Sequence, residues 1–193
     1  MRIVLELLYG LSFLVTLFFF IKSLSKRDEK ARYIQLILLM SALMILIYCL
    51  TLFNESSALA RCNYVIAAVV SDWIFWYILQ YLYVGFELEK NFNHAVFVII
   101  ILDSISQLLS FAMPISAQIV THTHFGNLYY TMRPQILYYI HLTVSVGVVV
   151  LAGIVLWKKF RCMPQLYRKK YRIFLLLFLL YVSVQIVNAI IGM

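Results

Sequence analysis

Residues 71–90 read SDWIFWYILQYLYVGFELEK. An acidic residue, Asp72, sits inside a run of large apolar and aromatic side chains, and the run ends in Glu87, Glu89 and Lys90. With helical spacing, Asp72, Trp76 and Gln80 fall four apart and share one face, a polar and aromatic stripe on an otherwise hydrophobic segment. A carboxyl at the centre of a membrane helix costs about 2.5 to 3.5 kcal/mol on insertion scales. The stripe is therefore expected to face protein or water inside a bundle, not lipid.

The composition around this segment excludes an ordinary soluble domain. The chain has 193 residues, 64% hydrophobic and 12% charged, with a mean hydropathy of +0.93; soluble domains are roughly 45 to 50% apolar and about 25% charged. Six apolar segments can be marked: Ile3–Ile21, Tyr33–Phe53, Cys62–Phe86, Ala95–Met113, Ile136–Trp157 and Ile173–Ile191. Each is close to the ~20 residues that a helix needs to cross the hydrocarbon core. The alternation of a membrane β-barrel is absent. The expected fold is all-α, a polytopic bundle of six transmembrane helices forming one domain over residues 1–193.

The net charge of +8 follows the membrane and does not point to nucleic acid. Thirteen of the sixteen basic residues fall in the first, third and fifth loops, from Lys22 to Arg32, at Lys90, and from Lys158 to Arg172, against Arg2, Arg61 and Arg133 on the other side. The positive-inside rule then places the amino terminus outside and those three loops in the cytoplasm. The first segment lacks a small-residue cleavage site and is followed by Lys22 and further basic residues, so it reads as a permanent span, not a leader.

The fourth segment repeats the anomaly of the third. Asp103, Ser106, Gln107 and Ser110 lie at i, i+3, i+4 and i+7, one helix face. At ~1.5 Å per residue, Asp103 lies about 12 Å from the inner end and Asp72 about 15 Å from the outer end. The two carboxyls stand at similar depth, and a facing pair can share a proton. His141 enters from the outer end of the fifth segment, and the sixth carries Tyr181, Gln185 and Asn188 on one stripe. Strongly polar residues, Glu6 among them, gather at mid-membrane and in the outer half, with Gln80 nearly alone further in. This pattern describes a pocket open outward and closed inward. Its expected ligand contacts are Asp72, Trp76, Asp103, Gln107, His141 and Gln185.

The histidines of the outer segment 115–135, His122 and His124, together with His141, form a weak zinc signal without a cysteine or nearby acid; that segment reads as an aromatic interfacial loop. No metal, cofactor or catalytic residue is expected. Cys49 and Cys62 both lie toward the outer side, so a bridge between them stays open.

Several stretches resemble the amino-terminal seven-helix sensor domain of bacterial membrane histidine kinases and diguanylate cyclases. They are WIFWYILQYLYVGFELEK, the outer THTHF, ILYYIHLTVS at the start of the fifth segment and the basic QLYRKKYR before the sixth. The resemblance spans nearly the whole chain. It implies a seventh helix and a cytoplasmic output domain in a longer receptor, with this chain ending before both. On that reading the protein is a sensory input domain of the bacterial cytoplasmic membrane. Its partners are the bilayer, an unknown small-molecule ligand and the output domain; homodimerisation is left open. Two other functions compete. A small secondary transporter is disfavoured because Pro114, Pro134 and Pro164 sit at segment boundaries and do not interrupt spans. An intramembrane hydrolase built on Asp72 and Asp103 lacks glycine-rich flanks or a nucleophile elbow.

Overall fold

The computed structural model describes residues 2–51, 56–86, 93–113, 117–124 and 127–162, together with positions 164, 168, 172 and 176. Five helices and one β-hairpin follow in the order α1 (Arg2–Ser23), α2 (Glu29–Thr51), α3 (Ser57–Phe86), α4 (Asn93–Leu109), β1 (Ala117–His124), β2 (Asn127–Pro134) and α5 (Ile136–Cys162). Apart from position 176, the sixth expected span, Ile173–Ile191, lies outside the described residues.

Among the described residues, four helices are long and apolar enough to cross a membrane: α1, α2, α3 and α5. At 17 residues α4 is shorter, about 25 Å against ~30 Å of hydrocarbon. The expected helix to Met113 stops early for a local reason. The amides of Ser110, Phe111 and Ala112 bond to carbonyls three residues back, on Gln107, Leu108 and Leu109, a tighter winding than the α-helix. Pro114 follows, and a proline disfavours the α conformation in the residue before it.

Helix ends are closed by local chemistry. The amide of Leu59 donates to Ser56 Oγ at 3.2 Å, capping α3 five residues before the expected start. Gln35 on α2 reaches back across the first turn, its Nε2 donating to the carbonyls of Ser23 at 2.9 Å and Lys26 at 3.0 Å. Ser23 is the last residue of α1, and its carbonyl also accepts from the Lys26 amide at 3.0 Å; Lys26 belongs to the connection that follows. Trp157 and Arg161 stack near the end of α5, with the guanidinium carbon 5.7 Å from the ring centroid.

Helix α3 is the hub, packing against α2, α4, α5 and β1, whereas α1 packs against α2. The rings of Tyr9 and Tyr48 stack at 6.3 Å across the α1–α2 seam. At one end of the bundle stand the basic residues Lys22, Lys158 and Lys159, and at the other stands the hairpin. Toward the basic end α3, α4 and α5 bury a shared apolar core that includes Trp76, Leu79, Leu82, Ile100, Ala152 and Leu156. Ala152 lets α5 approach closely, as small residues do between membrane helices. Leu11, Leu14 and Phe18 of α1 and Leu102 of α4 stay exposed, as lipid-facing side chains should.

In lipid this contrast has a measurable consequence. Leu79 is fully buried and Leu14 is 62% exposed. Since lipid tails are as apolar as leucine, truncation costs mainly lost packing, so Leu79→Ala should destabilise by about 2 kcal/mol, the low end of the leucine-to-alanine range. Leu14→Ala should change little. The difference in thermal midpoint in detergent between the two variants checks this.

The hairpin corrects the loop reading of segment 115–135. Strands β1 and β2 pair antiparallel from Ala117↔Pro134 to His124↔Asn127. Ile119, Val120, Thr121 and Thr123 opposite Met132, Thr131, Tyr130 and Leu128 are mostly β-branched or aromatic, the side chains that favour a pleated surface.

Candidate functional site

Three helices each place one ionisable side chain at a common point. Asp72 comes from the middle of α3, Asp103 from ten residues into α4, and His141 from the second turn of α5. His141 Nδ1 lies 2.7 Å from Asp103 Oδ2 and 3.4 Å from Asp72 Oδ1. The first is a short hydrogen bond of the charge-assisted kind. Both carboxylates are almost wholly buried, and the His141 side chain keeps 12% exposure.

Their neighbours complete the cluster. Ser104 Oγ donates to Asp72 Oδ2 at 3.3 Å, joining α4 to α3. Gln107, with no exposed surface, directs Nε2 to the Leu137 carbonyl at 3.5 Å, joining α4 to the first turn of α5. Ser106 Oγ turns back to the Asp103 carbonyl at 2.7 Å. Helix α4 can serve both neighbours because Ile100, Asp103, Ser104 and Gln107 are its buried residues, a 3–4 spacing that makes one inward stripe. Each carboxylate finds a partner on a different helix, which removes the cost of an isolated charge in the interior.

Of the six expected contact residues, Asp72, Asp103 and His141 come together, and Gln107 lies beside them. Trp76 is elsewhere. It sits in the apolar core one turn nearer the basic end, its ring 5.1 Å from that of Phe97. Gln185 lies outside the described residues. Gln80, the third member of the α3 stripe, forms a two-way amide pair with Asn93 at the start of α4, and so fastens α3 to α4 at the level of the core residues Leu79 and Leu82.

Sequence reasoning passed over Ser104 and Asn93. Ser104 adjoins Asp103 and falls off the i, i+3, i+4, i+7 face drawn through it; the pattern Ile100, Ser104, Gln107 would have found it. The hairpin histidines stand on β1, while His141 is committed to the carboxylates. Cys49 and Cys62 are half-buried and Cys162 is exposed, each as a free thiol.

Long apolar helices around a buried polar cluster, sealed on one side by an apolar core, define a helical membrane protein with an internal polar site. The family model for the N-terminal 7TM region of histidine kinase matches residues 8–192, and the chain belongs to that family. It is thus a membrane sensory input domain, a non-catalytic region of a signalling protein. No curated protein and no solved structure matches the chain.

Proposed function

We propose that residues 1–193 act as one transmembrane unit that receives a ligand at the cluster of Asp72, Asp103 and His141 and passes the change to a cytoplasmic kinase output domain. The observation that carries this reading is the convergence of three ionisable side chains from three helices on one buried point. Such groups inside a membrane bundle are costly and are by default functional. A ligand with a hydrogen-bond donor or a positive charge suits two carboxylates.

The arrangement also supplies a route from binding to output. A ligand that separates His141 Nδ1 from Asp103 alters the seam between α4 and α5, and one that draws on Asp72 alters the seam with α3. All three helices share the apolar core toward the basic end, so a shift at the cluster repacks that core. Ligand entry is from the hairpin side, which the positive-inside rule makes external, with the protein multi-pass in a bacterial cytoplasmic membrane. The transporter reading has no comparable support, since the family is one of kinase input regions.

Orientation is the first test. Reporters fused after Arg27 and after Lys169 should report a cytoplasmic location, and one fused after Asn127 an external one. An external signal at Arg27 and Lys169 would turn the hairpin side inward and overturn the outward-facing pocket.

A further inference from the structure

The ligand's chemical class can be taken further, resting on the reading of the cluster as a ligand site. We propose that Asp72, Asp103 and His141 bind one divalent first-row metal cation, with Zn2+ as the best-suited ion. One ligand atom from each residue lies within 4.8 Å of the other two. A tetrahedral zinc with bonds of about 2.0 to 2.1 Å sets its ligand atoms about 3.3 Å apart. His141 Nδ1 is already 3.4 Å from Asp72 Oδ1 and 2.7 Å from Asp103 Oδ2, so small side-chain movements accommodate the ion.

Charge favours the same ion. With a neutral imidazole, the two carboxylates carry two negative charges into a low-dielectric interior. Either two protons or one divalent cation neutralises them, and the second also joins all three helices through direct bonds. An imidazole nitrogen in the set selects against Mg2+ and Ca2+, which take oxygen ligands, and suits zinc and its first-row neighbours. Three protein ligands leave zinc a fourth position for water.

Two buried hydroxyls without partners lie on the segments that carry Asp103 and His141. Ser145 Oγ, one turn from His141 along α5, and Ser110 Oγ, one turn beyond Gln107 on α4, are both buried with no hydrogen bond among the described residues. Groups in that condition call for water or a bound species. The ligands are drawn from three separate helices, so the site forms only in the assembled bundle. Ion binding is then binding to the folded state, and it stabilises that state.

The test uses the 193-residue chain in detergent, stripped with chelator and then equilibrated with Zn2+, with bound metal measured by elemental analysis. About one zinc per chain is expected, with a rise in thermal midpoint of roughly 5 °C or more at saturating zinc. Asp72→Asn, Asp103→Asn and His141→Ala should each lose both effects. The paired variant His122→Ala with His124→Ala should keep them. Because a variant may misassemble, the wild-type chain is also loaded with Co2+, whose visible absorption should show a nitrogen and oxygen ligand set and vanish on adding Zn2+. Absence of stoichiometric zinc and of that spectrum in the wild type overturns the proposal. So does zinc retained in all three cluster variants, or lost only with the hairpin histidines. Neither result touches the sensory reading, which is measured separately as kinase output.

Discussion

Replacing His141 with alanine should destabilise the bundle by about 3 to 5 kcal/mol, the range for removing one partner of a buried ion pair. The imidazole is the hydrogen-bond partner of Asp103 and the nearest cationic group to Asp72. Without it, Asp72 keeps Ser104 Oγ at 3.3 Å, and Asp103 keeps the serine of its own helical turn, Ser106, 3.4 Å from Oδ1. Two carboxyls then share a buried space with no opposing charge among the described residues. The check is the thermal midpoint in detergent, read together with a second variant carrying His141→Ala and Asp103→Asn. The amide is cheaper to bury than the carboxylate, so the double variant should recover part of the loss. A double-mutant cycle that shows additive effects would mean that the two residues do not interact.

Much of this site was legible before any coordinates, because membrane helices carry few polar residues and each one is informative. Asp72, Asp103 and His141 are conspicuous among apolar neighbours. Rise per residue along oppositely directed helices was enough to put the two carboxyls at one depth. Helix α3 as organising element follows from the same stripe, since a helix with a buried carboxyl must be surrounded, and it packs against α2, α4, α5 and β1.

What was not legible has identifiable causes. Trp76 shares the helical face of Asp72, yet one turn along that face the environment changes from polar to apolar, and periodicity alone does not report that boundary. Gln80 is likewise on the stripe, but its partner Asn93 belongs to a loop-proximal turn that the apolar pattern placed outside the helix. The hairpin was hidden because the segment between Pro114 and Pro134 was read for its aromatic residues and histidines, not for alternation. Ile119, Val120, Thr121 and Thr123 before Phe125-Gly126 are the signals of a strand followed by a short connection.

The second large effect concerns signalling, and it separates a working site from a structural one. If the cluster sets the balance between two packings of α3, α4 and α5, then changing one member shifts that balance and with it the basal activity of an attached kinase. Coupling between a site and a distant output is typically about 1 to 3 kcal/mol, or roughly 5- to 150-fold. Asp103→Asn is the most informative change, since it keeps shape and inserts more cheaply into the membrane than the carboxylate does. The decisive measurement is autophosphorylation of the full-length kinase in membrane vesicles, with the amount of inserted protein determined for each variant. The account predicts that Asp72→Asn and Asp103→Asn insert at wild-type levels and that these two and His141→Ala each displace the activity per inserted protein at least about fivefold, while Leu14→Ala on the lipid face leaves it unchanged. Wild-type activity and wild-type dose response in all three cluster variants would contradict it.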